Sequence, residues 1–172
     1  MIITAELLQA IFDEYRLPLH GTHGVTHWAR VLENGRRLAE ASGASLAVVS
    51  LFAVFHDSRR VNEHIDPYHG LRGAKFAATL RGRLFDLPDA EFDDLYTACA
   101  EHTDGKTQAG LNIQACWDSD RLDLYRVGRL PDPQRLCTAA AREPEMLAWA
   151  NARAGVRSMP ELLRSEWGLN LD

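Results

Sequence analysis

Ionisable groups that interrupt an apolar run are where chemistry would concentrate. Residues 46–57 read LAVVSLFAVFHD, so His56 and Asp57 close the most apolar segment of the chain. Burying either group without a partner is expensive. Two arrangements relieve that cost. One is a His–Asp hydrogen bond at the end of the segment; the other is a divalent cation that takes an imidazole nitrogen and a carboxylate oxygen. A further histidine, His27, lies in His23-Gly-Val-Thr-His27-Trp-Ala-Arg-Val31. Trp28 and Val31 should face the core, which brings His27 close to the buried side. His23 reads as a cap or as a support for a ligand, not as a ligand. In Trp117-Asp118-Ser-Asp120-Arg-Leu-Asp123, three acids would ordinarily face water. Beside a histidine-rich site, one of them can serve as a carboxylate ligand.

Helices must position these groups. Residues 4–16 carry Leu7, Leu8, Ile11, Phe12 and Tyr15 at helical spacing, and Pro18 ends the element. Residues 24–41 carry Val25, Trp28, Val31, Leu32 and Leu38 and stop near Gly43. Over 46–57 the β-branched residues favour a strand and the length favours a helix; the helical neighbours decide for a central buried helix. Further helices are predicted from His69 towards Leu84, from Pro88 to His102, and over 111–126, 133–141, 143–154 and 158–167. The last has Ser158 as its cap and Pro160 in its first turn. Residues 58–68 read as irregular, and Asp104-Gly105 as a turn. The expected class is all-α, one domain over 1–172.

A chain of 172 residues can build one core without staples. Its 46% hydrophobic and 25% charged residues are those of a globular protein. The net charge of −5 argues against a large basic surface for duplex nucleic acid. A small anionic substrate remains compatible, given local arginines and a bound cation. Cys99, Cys116 and Cys137 form no CxxC pair and are odd in number, against a disulfide framework or a zinc–thiolate site. They read as buried thiols on helices, in keeping with a reducing cytoplasm. The N-terminus carries Glu6 and no basic leader, so no signal peptide is expected. No apolar run approaches the ~20 residues that span a bilayer, so no membrane partner is expected.

The ordered set His27-x-x-Arg30-Val31, His56-Asp57 and Asp118-Ser-Asp120-Arg121-Leu122-Asp123 resembles the HD-domain superfamily of metal-dependent phosphohydrolases. The likeness covers roughly residues 20–130, with helices of 131–172 completing an HD-type bundle. It implies that His27, His56, Asp57 and Asp120 hold one metal. Asp120 is preferred over Asp118 because the family's last aspartate typically sits directly before Arg or Lys and an apolar residue. His69-Gly-Leu-Arg-Gly73 is similar to the His-x-x-x-Gly element of dinuclear HD proteins, and His102 stands where their next histidine ligand is expected. The implied pattern H…HD…H…H…D holds two ions, with Asp57 bridging. His64 is an alternative to His69, and both His69 and His102 can also be read as ordinary helix-end histidines. The implied cofactor is one or two divalent transition-metal ions, from Mn, Fe, Co, Ni or Zn.

Arginines follow the HD pair, as Ser58-Arg59-Arg60. A guanidinium fork matches a phosphate. Arg60, where many dinuclear relatives carry a lysine, is the first candidate for that contact, with Arg72 and Arg59 behind it. Glu63 and Asp66 either orient ligands or face water. The resemblance implies a phosphomonoesterase or phosphodiesterase in which Asp57 and Arg60 are catalytic. Metal-activated water would attack phosphorus in a nucleotide or other small phosphoester. The chain lacks the Gly-Tyr-Pro signature of cyclic-dinucleotide phosphodiesterases and the acidic pair that follows HD in alarmone hydrolases, so neither substrate carries over. The alternatives are a di-iron oxygenase of HD type and a non-catalytic metal or nucleotide sensor. The C-terminal third completes the bundle and could also shape a specificity lid or a homodimer face; Trp149 and Trp167 read as core.

Overall fold

The computed structural model describes residues 2–170 and is mainly helical. Six helices form the body: α1 (Ala5–Glu14), α2 (Val25–Ser42), α3 (Leu46–Phe55), α4 (His69–Leu80), α5 (Asp89–Glu101) and α6 (Leu111–Arg121). Two 3-10 turns, Leu124–Val127 and Pro133–Arg135, lead to α7 (Ala139–Arg142), α8 (Pro144–Gly155) and α9 (Leu162–Ser165). Among the described residues there is no strand, only an isolated bridge between Arg81 and Phe85.

The apolar run folds as the central helix. Ser45 starts α3 by accepting the Val48 N–H on its Oγ at 3.3 Å. Val48 through Phe55 are all buried, because α1, α2, α4, α5 and α6 surround this helix. A helix covered on every side must be apolar all round, and each large side chain so buried contributes ~1.5–3 kcal/mol. α1 needs only one apolar face, Leu7, Leu8 and Ile11, and Thr4 caps it. Gly43 ends α2 in the left-handed region, at φ 82°.

Two glycines bring α4 unusually close to its neighbours. A Cβ on Gly73 would lie 2.3 Å from the Phe55 carbonyl oxygen, and one on Gly70 would lie 2.1 Å from that of Cys99. The α4 backbone therefore touches the C-terminal ends of α3 and α5. That contact sets His69, the first residue of α4, beside Asp57 and His102.

The C-terminal third is less regular than the sequence predicts. The element expected over 111–126 leaves the α-helix after Arg121 and tightens into a 3-10 turn, which Gly128 ends at φ 78°. That expected over 133–141 splits in two. Asp132 caps the Pro133–Arg135 turn, while Asp118 on α6 holds the N–H groups of Cys137 and Thr138, each at 2.8 Å. Cys137 therefore lies on a non-helical segment and is only half-buried, whereas Cys99 and Cys116 are buried on helices. The last helix covers only Leu162–Ser165, and Ser158 does not cap it; the Ser158 carbonyl accepts from Arg30 Nη1 at 2.9 Å. α4 ends at Leu80 instead of Leu84 because Arg81 is extended and Gly82 turns at φ 73°. Trp167 is buried, but Trp149 is half-buried between the guanidinium groups of Arg37 and Arg153. Among the described residues, no helix is long and apolar enough to cross a membrane.

Candidate metal centre

Four histidines from four helices meet around one aspartate. His27 is in the first turn of α2, His56 caps the C-terminus of α3, His69 begins α4 and His102 caps α5. All four are buried, and so is Asp57. Tyr68, just before His69, is held in the left-handed region at φ 66°, which costs a non-glycine residue free energy. That turn aims His69 inward.

The hydrogen bonds fix each ring. Nδ1 of His56 donates to the carbonyls of Phe52 and Ala53 at 3.1 and 3.2 Å. Nδ1 of His69 donates to Asp66 O at 2.6 Å, and Nδ1 of His102 to Cys99 O at 2.8 Å. A carbonyl oxygen only accepts, so these nitrogens carry protons, and in the neutral rings Nε2 presents a lone pair. His27 is fixed likewise, with Nδ1 2.7 Å from Asp123 Oδ2. The Nε2 atoms then face one another in pairs: His27 and His56 at 3.2 Å, His69 and His102 at 3.0 Å. Opposed lone pairs at that separation call for a proton or a cation between them, so this donor set fits metal ions.

Asp57 divides its carboxylate between the two pairs. Oδ2 lies 3.7 Å from His27 Nε2 and 3.6 Å from His56 Nε2. Oδ1 lies 3.0 Å from His69 Nε2 and 3.7 Å from His102 Nε2. His27, His56 and Asp57 thus form one group that could hold a metal ion, and Asp57, His69 and His102 form another. Asp120 joins the first group from α6, with Oδ1 3.3 Å from His27 Nε2 and 3.9 Å from His56 Nε2.

The structure places the members of each alternative pair differently. Asp118 faces away from the histidines and binds the main chain of Cys137 and Thr138 together with the Thr138 hydroxyl. His64 is exposed, and its carbonyl accepts from Arg60 Nη2 at 2.6 Å.

Asp123 and Arg30 were visible in the sequence only as the edges of motifs. Arg30 is buried and grips Asp123 with Nε and Nη2, at 2.7 and 3.0 Å. The same carboxylate orients His27. The available signal was spacing: Arg30 follows His27 by three residues and Asp123 follows Asp120 by three, so each pair shares a helical side.

The arginines divide sharply. Arg60 is buried, anchored by Nε to Asn62 O at 3.3 Å and by Nη2 to His64 O. Its Nη1 lies 3.1 and 3.4 Å from the two ring nitrogens of His69. A donor on the Nε2 lone-pair axis could not be near both, so Nη1 lies over the ring face and leaves that lone pair free. It is also 3.5 Å from Asp57 Oδ1. The two reserve candidates are engaged elsewhere: Arg72 binds Asp66 at 2.6 Å, and Arg59 pairs with Glu14. Asp66 therefore supports His69 through its carbonyl and Arg72 through its carboxylate. His23 lies just before the α2 cap, Gly24, with Nδ1 2.5 Å from Glu63 Oε2 and its ring edge-on to that of His27.

The groups shift one another's protonation in opposite directions. Burial drives His56 down to about 3, against the pull of Asp57 and Asp120. Burial also lowers His102, but the nearby Asp57 carboxylate outweighs it, and the net shift is upward. Burial raises Asp57, yet the surrounding histidines hold it well below the usual carboxylate range. Asp120 falls too, burial being overcome by His27 and His56. Both carboxylates are anionic at neutral pH.

No family model matches the sequence, and no curated protein matches it. A solved structure does resemble the fold: a predicted HD superfamily hydrolase from an uncultured Thermotogales bacterium. The two are 22% identical, with a TM-score of 0.65, over 86% of this chain and 84% of that one. The architecture is thus the all-α HD-domain fold.

Proposed function

We propose that this chain is a metal-dependent phosphohydrolase of the HD superfamily, acting on a nucleotide or another small phosphoester. The observation that carries the reading is Asp57, with one oxygen towards His27 and His56 and the other towards His69 and His102. In this reading His27, His56, Asp57 and Asp120 hold one divalent ion, and Asp57, His69 and His102 hold a second. Ions bound there supply Lewis acidity, which lowers the pKa of water and offsets charge developing on phosphoryl oxygens.

The chain's own groups orient and move protons around that chemistry. Asp123 and four main-chain carbonyl contacts hold Nδ1 of the four rings and leave the four Nε2 atoms convergent. Arg60 Nη1, held over His69, offers a fixed donor to a non-bridging phosphoryl oxygen. His23, paired with Glu63 at 2.5 Å and with its pKa lowered by burial, is neutral at pH 7 and can accept a proton beside the site. Three free cysteines suit a reducing cytoplasm.

Metal analysis of wild type beside His69→Ala and His102→Ala tests the reading, together with a screen of phosphoesters in manganese and iron. Two ions per wild-type chain, falling towards one in both variants, with turnover abolished by chelation, is the expected result. Full turnover in verified metal-free protein would defeat it. Two irons with oxygen consumption and no phosphoester cleavage would favour the oxygenase reading, which four imidazole ligands also suit.

A further inference from the structure

The loop between α3 and α4 carries three large apolar side chains that the fold leaves in water. Val61, Ile65 and Tyr68 are 55%, 88% and 77% exposed, and none belongs to the core. Single exposed apolar residues are ordinary, but three within eight positions of a rigid loop mark a contact surface.

The loop is braced throughout. Asn62 holds its middle, accepting the His64 N–H at 2.8 Å and donating to Ile65 O at 3.4 Å. Asp66 ties its two ends together: Oδ2 accepts the Val61 N–H at 2.8 Å, and Oδ1 pairs with Arg72 at 2.6 Å. Tyr68 stands at φ 66°, a region that glycine or asparagine enters with less strain. Its ring is exposed, so neither burial nor backbone geometry calls for a tyrosine there.

Hydrogen bonds fix where this surface lies. Arg60 donates through Nη2 to His64 O at 2.6 Å, while its Nη1 stands 3.1 Å from His69 Nε2. One guanidinium therefore separates the middle of the loop from a nitrogen of the candidate metal centre. Glu63 Oε2 lies 2.5 Å from His23 Nδ1, and the His23 ring is edge-on to that of His27. Tyr68 is bonded directly to His69. The loop thus borders the histidine cluster from His23 to His69.

We infer that Val61, Ile65 and Tyr68 receive the ester substituent of the substrate, and that this substituent is apolar, an aryl or branched alkyl group. The inference rests on the phosphohydrolase reading and adds to it a preference for the leaving alcohol. With the phosphoryl group at Arg60 Nη1, the substituent lies over the same loop that holds Arg60. Tyr68 offers a ring on which an aryl group can stack, and Ile65 and Val61 offer surface that is favourable to cover.

The test compares metal-loaded wild type with the Ile65→Ser/Tyr68→Asn double variant. Both positions are exposed, and asparagine tolerates the left-handed φ at position 68. Should the double variant lose metal, Ile65→Ser alone, four residues from His69, carries the same comparison. Calorimetry reads the binding of phenylphosphonate and methylphosphonate, which hold no ester bond to cleave. Wild type should prefer phenylphosphonate by ~10-fold, and the double variant should lose most of that preference, with methylphosphonate affinity moving by less than about twofold. Equal affinity for the two ligands in wild type, or a phenyl preference that survives both substitutions, would overturn the inference. So would an equal loss for both ligands, which would mean that the loop shapes the centre and does not cover the substituent. Binding is read without turnover. A phenyl preference that depends on Ile65 and Tyr68, in a protein that cleaves no phosphoester, would uphold the surface and sink the phosphohydrolase reading alone.

Discussion

Asp123 orients His27 from 96 positions further along the chain, with 2.7 Å between Oδ2 and Nδ1. Because Arg30 grips the same carboxylate, the imidazole is fixed by a group that is itself fixed. Asp123→Asn should weaken metal binding by ~10–100-fold, the usual effect of removing a ligand's hydrogen-bonded support. Competition titration with a chromogenic chelator would read it. Unchanged affinity would reduce Asp123 to a structural partner of Arg30.

Asp118 and Asp120 stand two residues apart on α6 and should fail in different ways. Asp118→Ala strips acceptors from the Cys137 and Thr138 N–H groups, which should cost ~1–3 kcal/mol of stability. Asp120→Asn should lower the affinity for the first ion, and in chelated protein any loss of midpoint should fade as pH falls through the range where Asp120 would protonate. If the two effects appeared in the opposite order, the assignment of Asp120 as a ligand would be wrong.

Gly73→Ala gains ~1 kcal/mol of helix propensity. Against that, its Cβ would meet the Phe55 carbonyl at 2.3 Å, with backbone on both sides. Overpacking of this kind costs ~1–3 kcal/mol, so the variant should be destabilised in a denaturant melt. It should also bind the second ion less tightly, since α4 carries His69.

Glu166 reports on acid stability away from the histidines. Arg36 takes both of its oxygens at 2.6 Å, and that contact lowers the Glu166 pKa despite opposing burial. A carboxylate depressed on folding stabilises the protein above its unfolded pKa, ~4.3, and loses that contribution as pH falls through the folded value. The pair is partly exposed, so its contribution is ~1 kcal/mol or less. In chelated protein, Glu166→Gln should therefore melt lower than wild type at pH 7, and the two should converge under acid. A constant gap across that range would mean the variant acts through packing.

Sequence pattern located the helices that carry the histidines, because capping residues and apolar periodicity are local. Gly43 marks the end of α2 locally, whereas the run to Phe55 is ambiguous by itself and reads as a helix only beside helical neighbours. The C-terminal third was misread for the converse reason. Cys137 and Thr138 stay out of a helix because Asp118, on α6, takes their N–H groups, and no local signal records that. At the site, the residues with metal-binding chemistry were legible by type and order. Their supports were not: Asp123 looks like any acid on a helix until His27 and Arg30 are beside it. The fate of the arginines was equally hidden, since only the fold shows Arg72 engaged by Asp66 and Arg59 by Glu14.

Three of the four imidazoles are oriented by carbonyls three or four residues upstream in their own chain segment. An unconstrained histidine surrenders rotational freedom when it captures an ion. These rings surrendered it when the helices formed, as part of the entropy every buried side chain loses on folding. An arriving ion would meet a cage that is already still, and would lose little affinity to ordering it. The same stillness would penalise any ion whose preferred geometry asks the rings to turn, because turning one means breaking a main-chain hydrogen bond in the core.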